Sequence, residues 1–204
     1  MKIGETVEEE TVISSFAEAE FTSPRHRSKV ASCVSSIDPG RLLKSDPSVW
    51  SARDRRVAAD AVRRYRGPIL EQILSLKPAW YEAAITPEEL PSLCPISFRP
   101  FDVLDPDRRL GTLVAAMDAG QETPGDGFSA GYRALRSVFD LRKVRGKPSV
   151  FATGRFGPFV VFEGLTRLAV LASRSAHGEP VPETISLYLG VSSRASEWRF
   201  FGTP

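Results

Sequence analysis

Apolar residues along the chain recur with two periods, and turn-forming residues separate the stretches. Between Ser51 and Tyr65 the apolar positions (Val57, Ala58, Ala61, Val62 and Tyr65) have helical spacing behind a serine suited to cap the first turn. The other face of that helix carries Arg53, Arg55, Arg56, Arg63 and Arg64. Gly67-Pro68 interrupts the pattern, and a second short helix is predicted over 69–76. Residues 80–85 read as a strand. Thr86-Pro87-Glu88-Glu89 then supplies a cap, a proline at the first helical position and a capping-box acid. Pro91, Pro95, Pro100 and Pro106 leave 96–103 an edge strand at best. A helix opened by Asp105-Pro106 places Leu110, Leu113, Val114 and Met117 on one face, with Gly120 near its end. Residues 121–131, holding Pro124, Gly125, Gly127 and Gly131, predict a loop able to move, and 132–144 reads as helical and basic. Upstream, 28–37 fits a strand or a short helix ended by Asp38-Pro39-Gly40. Residues 1–24 predict a mobile acidic lead with a short helix near 11–20, and 25–204 a single domain with a helical N-terminal part.

The last third has the densest signal. Residues 149–153 predict a short strand, Gly154-Arg155-Phe156-Gly157 a turn, and Phe159-Val160-Val161-Phe162 a strand buried on both faces. Gly164 precedes a helix over 165–175 with Leu168, Val170 and Leu171 as its apolar positions. His177-Gly178 closes that helix, and 185–191 returns as a strand. Strand, glycine turn, helix and strand form a crossover unit, right-handed if its strands are parallel. The expected class is therefore α+β, a small mixed sheet with flanking helices.

Composition excludes more than it adds. A chain of 204 residues, 42% hydrophobic and 25% charged, is neither disordered nor collagen-like and can bury a core without a disulfide or structural metal. Cys33, Cys94, His26 and His177 are too few for a Cys/His metal cluster, and the two thiols read as inert. No stretch approaches the ~18–20 apolar residues of a membrane span. The opening MKIGETVEEE lacks the apolar core of a secretory signal, so a cytoplasmic location is expected.

Charge is nearly balanced overall, at +2, but unevenly spread. Residues 1–20 hold six acids against Lys2, whereas 21–67 hold eleven basic residues against four acidic ones. A second basic block, 133–155, carries Arg133, Arg136, Arg142, Lys143, Arg145, Lys147 and Arg155 against Asp140 alone. Such blocks fit contact with phosphates, and Arg53, Arg56, Arg63, Arg142, Lys143 and Arg145 are the candidate nucleic-acid ligands. Solvated helix faces would give the same pattern.

The sharpest chemical candidate is Glu163-Gly164-Leu165-Thr166-Arg167, where the buried strand hands over to a helix. First-turn amides and the helix dipole favour an anion there. Gly164 permits close backbone approach, Thr166 offers a hydroxyl, and Arg167 offers a fork for two phosphate oxygens. Glu163 is the candidate ligand of a Mg²⁺ ion and the candidate group to orient an attacking oxygen. The plainer alternative is that Glu163 and Arg167, four residues apart, pair with each other, and that Gly164 only tightens the turn.

With those pieces in place, 159–191 resembles the signature region of the ParB/sulfiredoxin-like superfamily, and most closely its short stand-alone members. They read as an apolar strand, E-G-x-x-R, an apolar helix and a strand ending in a G-V-S-like turn. Here these pieces are 159–162, Glu163 to Arg167, 168–172 and 185–192, with Trp198 beyond. The resemblance implies a small α+β fold that binds a nucleoside triphosphate or phosphorylated substrate at the Gly164 loop. Sulfiredoxins carry Gly-Cys-His-Arg; Leu165 replaces the cysteine, which rules out sulfinic-acid repair at this site. Chromosome-partition members carry Gly-Glu-Arg-Arg; Leu165 and Thr166 depart from that pattern, and no helix-turn-helix is legible after it. Free-serine kinases have an acid-Gly-x-His-Arg version, from which Thr166 is the departure. Plasmid-encoded inhibitors of DNA transfer, linked with ATP hydrolysis and DNA cleavage, are similar in size.

The leading expectation is thus a nucleotide-binding enzyme that hydrolyses ATP or a related triphosphate such as CTP, or cuts a phosphodiester. Gly164, Leu165, Thr166 and Arg167 would hold phosphates, Arg167 and Glu163 would act catalytically with Mg²⁺, and the basic faces would guide DNA. The alternatives are a non-catalytic nucleotide-, DNA- or protein-binding regulator, and a small-metabolite kinase drawing its base from Asp102, Asp105 or Asp107.

Overall fold

The computed structural model describes the chain apart from Ser36, Ile37, Pro106, Asp126, residues 141–144 and 203–204, and the side chains of Arg99 and Pro100. Two compact units divide it. One combines Met1–Thr6, Pro78–Asp140 and Pro148–Pro204; the other combines Val7–Lys77 and Leu141–Lys147.

The second unit is helical: α1 (Glu9–Thr22), α2 (Arg27–Ala31), α3 (Pro39–Lys44) and α4 (Ala52–Ser75). α4 begins where its sequence says it should. Ser51 Oγ accepts from the Asp54 amide at 3.2 Å, and Asp54 Oδ2 accepts from the Ser51 amide at 3.1 Å, a closed capping box. Gly67, at φ 4° and ψ −94°, kinks α4 just before Pro68 and separates the two segments that the pattern separates. The acidic lead differs from expectation. Residues 2–6 form a strand and Glu9–Thr22 a fourteen-residue helix packed on α4, burying Val12, Ile13, Phe16, Ala17 and Phe21. Those positions recur every three to four residues, so the stripe buries well despite the charge around it. Residues 27–31 are helical, and Ile37 lies outside the described residues.

The first unit is a mixed α+β structure built on one six-stranded sheet. Its strands are β1 (Lys2–Thr6), β2 (Ala79–Ile85), β3 (Cys94–Pro95), β4 (Ser149–Ala152), β5 (Val160–Glu163) and β6 (Ile185–Val191), ordered β1-β2-β6-β4-β5-β3. β4 pairs antiparallel with β5 and parallel with β6. The expected crossover is therefore not a parallel pair. The Gly154-to-Gly157 turn folds β4 onto β5 as a hairpin, and β6 then enters on the far side of β4, opposed in direction to β5.

Helices α5 (Arg99–Asp102), α6 (Leu110–Asp118), α7 (Phe128–Val138) and α8 (Leu165–Ala176) complete this unit. Among the described residues near the proline-rich segment only Cys94–Pro95 pairs as a strand, and 99–102 is a helical turn rather than an edge strand. α6 starts at Leu110, because Arg108 holds φ 51° and breaks the run from Asp105. Within 121–131, where a mobile loop is predicted, Thr123 and Ser129 exchange amide-to-hydroxyl bonds of 2.7 and 3.1 Å in buried surroundings.

Both sheet faces are covered, as the apolar run in β5 requires. Val150, Ala152, Val161, Leu187 and Leu189 join Leu113, Met117, Leu168 and Leu171 in the core under the helices. On the other face Trp80 and Phe162 lie 5.9 Å apart, and Trp198 meets Phe162 at 6.4 Å and Phe151 at 6.0 Å. Gly190 admits the Trp80 ring, since a Cβ there would lie 2.6 Å from it. Gly190→Ala is expected to destabilise this unit by about 1–3 kcal/mol through overpacking. A urea transition followed by tryptophan fluorescence checks it, and an unchanged midpoint would show that the ring moves aside.

Candidate functional site

The five residues that carry the resemblance sit at the corner where β5 ends and α8 begins. Gly164 takes φ 81°, a left-handed conformation that reverses the chain between strand and helix, and no side chain caps α8. Leu165, Thr166 and Arg167 occupy the first turn, half-buried.

The corner is filled by the protein's own groups. Arg167 Nη2 donates to both carboxylate oxygens of Glu163, at 2.7 and 2.6 Å. The pair is well screened from solvent, with side-chain exposures of 14% for Arg167 and 8% for Glu163. A Cβ on Gly164 would lie 2.8 Å from Pro148 Cβ and 3.0 Å from Arg167 Nη2. The glycine is thus required by a left-handed φ and by the close approach of Pro148. The expectation of an open seat for oxyanions is corrected accordingly: the guanidinium turns onto a carboxylate, as the plainer alternative anticipated.

This geometry bears on the Mg²⁺ expectation. Both oxygens of Glu163 are engaged by a guanidinium, and no group of three or more His, Cys, Asp or Glu able to hold a metal occurs among the described residues. The residues present do not fit a protein-held Mg²⁺, and Glu163 is not poised to orient an attacking oxygen. Among the acids considered for a kinase base, Asp107 is exposed and Asp102 Oδ1 lies 4.0 Å from Arg108 Nε. Asp105 is buried, and burial pushes its carboxyl above the usual range.

The basic faces are answered in part from within. In the helical unit α1 lays its acids along α4: Glu10 pairs with Arg63, Glu18 with Arg55, and Glu20 with Arg66. Asp54 takes Arg41 at 2.7 Å. Asp46 accepts from Arg145 Nε and Nη2 at 3.1 and 2.7 Å, and that guanidinium holds its carboxyl well below the usual range. Of the candidate nucleic-acid ligands, Arg63 and Arg145 are paired, and Arg142 and Lys143 lie outside the described residues. Arg53 and Arg56 remain exposed, with no ion pair among the described residues. Sequence reading missed Pro148 and the α1 glutamates as partners, because no local spacing announces contacts between distant segments.

Searches against family models, curated proteins and solved structures find no match for this chain. No described helix is long and apolar enough to cross a membrane.

Gly164→Ala is expected to destabilise the protein by about 2 kcal/mol or more, combining left-handed strain with overpacking against Pro148. Denaturant unfolding measures this. A loss under about 0.5 kcal/mol, the range of a neutral surface change, would mean that neither constraint holds.

Proposed function

We propose that this chain is a ParB/sulfiredoxin-like binding protein whose β5–α8 corner takes a phosphorylated ligand, a nucleotide such as ATP or CTP, without turning it over. One observation supports this reading above the others: at the uncapped first turn of α8, Arg167 already grips a two-oxygen anion, and that anion belongs to Glu163. Binding is then an exchange. A ligand phosphate replaces the Glu163 carboxylate on the guanidinium and gains the first-turn dipole of α8. The displaced carboxylate stays nearby and repels the incoming charge, which limits affinity.

The same pairing argues against hydrolysis. A hydrolytic site needs an acid available to the attacking oxygen, and Glu163 is committed to Arg167. It also needs charge stabilisation that strengthens in the transition state, whereas one shared guanidinium serves ground state and transition state alike.

Calorimetry with ATP and CTP tests the exchange. Arg167→Ala is expected to abolish binding. Glu163→Gln, which removes the competing charge, is expected to tighten it by about five- to tenfold, or roughly 1–1.4 kcal/mol. Weaker binding by Glu163→Gln would overturn the exchange. Sustained phosphate release by the unmodified protein, lost in Glu163→Gln, would restore the hydrolytic alternative.

A second reading, contact with DNA, is favoured by the exposed Arg53 and Arg56 on α4. Two phosphate contacts give a log–log salt slope near −2, or about a tenfold loss between 50 and 200 mM salt. Arg53→Ala with Arg56→Ala should flatten it. A slope of about −5 or steeper would require the arginines paired by α1 to open, and no response to the double substitution would remove DNA from consideration.

A further inference from the structure

At the end of α8 away from Gly164, three helices bring together polar side chains that no sequence motif groups. Tyr132 on α7 donates its hydroxyl to Oδ1 of Asp118 on α6, and Ser173 on α8 donates to Oδ2 of the same carboxylate at 2.8 Å. Arg136 on α7 donates from Nε to Ser173 Oγ at 2.9 Å and from Nη2 to Glu179 at 2.7 Å. Ser173 and Tyr132 are almost wholly buried, at 0% and 1% exposure, so the network is held by packing as well as by bonds. Asp118 and Arg136 also line an open depression of about 350 Å³, together with Arg133, Ser137 and His177.

The hydrogen bonds fix which atoms are left over. His177 Nδ1 lies 2.8 Å from the Ser173 carbonyl, which only accepts, so Nδ1 carries the hydrogen and Nε2 is the basic atom of the neutral ring. Its side chain is 52% exposed. Arg133 and Arg136 stand three residues apart on α7, on neighbouring positions of one helix face. Arg133 is engaged through Nη2 alone, by Glu122 in an exposed pair. Among the described residues no partner is found for Arg133 Nη1, Arg136 Nη1 or His177 Nε2.

We propose that this depression is a binding site for a small tetrahedral oxyanion of the phosphate or sulfate class, gripped by the Nη1 groups of Arg133 and Arg136 beside the His177 ring. Each guanidinium keeps Nη1 for a ligand, and two such donors from separate side chains suit the spread oxygens of a tetrahedral anion better than a single planar carboxylate. The surrounding charge is closely balanced. Around His177 stand Asp118 from α6, Arg133 and Arg136 from α7, Arg174 on α8, and Glu179 just beyond it. Tyr132, pushed up to about 12 mainly by burial, stays neutral. Glu122 and Glu179 offset the two lining arginines, and Asp118 and Arg174 add one charge of each sign, so binding rests on directed N–H donors rather than on net charge. The site is separate from the Gly164 corner and does not depend on the reading given to it.

The chain has two histidines; His177 lines the depression and His26 does not, so the His177 ring signals report on that surface. The experiment follows those signals by NMR in the full chain at one fixed pH as sulfate is added. Sodium chloride at equal ionic strength is the control. Sulfate is expected to move the His177 signals saturably, and Arg133→Ala should cut sulfate affinity at least about fivefold. Arg167→Ala should leave the His177 response intact, which keeps this site distinguishable from the corner. Equal movement with chloride, no movement with sulfate, affinity unchanged in Arg133→Ala, or acetate bound as tightly as sulfate would each overturn the proposal.

Discussion

A carboxylate and a guanidinium four residues apart, joined across a left-handed glycine, govern the β5–α8 corner. Glu163 ends a strand whose neighbours are buried, and Arg167 lies on the first turn of a helix whose inner face is buried. Neither charge is well placed to be hydrated, and removing one partner of such a pair leaves the other costly to keep. The pair therefore fixes how α8 leaves the sheet. That exit in turn sets where Leu168 and Leu171 enter the core, and where Ser173 and His177 arrive at the far end. Gly164 is the hinge that lets the two side chains meet, and Pro148 closes the space beside it.

The same rule, that exposed-looking charge is answered nearby, reshapes the basic stretch. Read linearly, an acidic segment precedes an arginine-rich one, and each invites a separate partner. Folded, α1 lies on α4 and the two segments neutralise each other pair by pair, through Glu10, Glu18 and Glu20. Most of these pairs are partly exposed, so each adds little stability. Their larger effect is to withdraw Arg55, Arg63 and Arg66 from any outside polyanion, while Arg53, Arg56 and Arg64 on α4 stay exposed with no ion pair among the described residues.

Local rules carried most of the fold. The Ser51 cap, the break at Gly67-Pro68, β2, the hairpin strands β4 and β5, α8 and β6 were all legible, because each depends on periodicity or on caps within a few residues. Features that need distant segments were not. The sheet order could not be read from the chain, nor could the bonds between Thr123 and Ser129 or the approach of Pro148 to Gly164. The corner shows the difference within a single motif. Its position and its i,i+4 pairing were accessible to sequence reasoning, while its occupancy was not, since a free helix turn and a self-paired one have the same spelling.

A self-paired corner is not an inert one, and the distinction rests on what the pair already does. A site that is empty in the free protein must desolvate its arginine when the ligand arrives; here most of that desolvation has already occurred and is compensated by Glu163. Exchange of one oxyanion for another then conserves the number of charge-assisted bonds to Arg167, and the net change comes from the helix dipole, which favours the newcomer, and from the displaced carboxylate, which opposes it. Those two effects are each of the order of 1 kcal/mol and opposite in sign, so affinity depends on where Glu163 goes once displaced. A carboxylate that swings toward solvent leaves the ligand the gain from α8; one that stays behind Pro148 cancels it. On the exchange proposed above, the charge at residue 163, more than the presence of Arg167 alone, would set whether this corner closes on itself or opens to a phosphate.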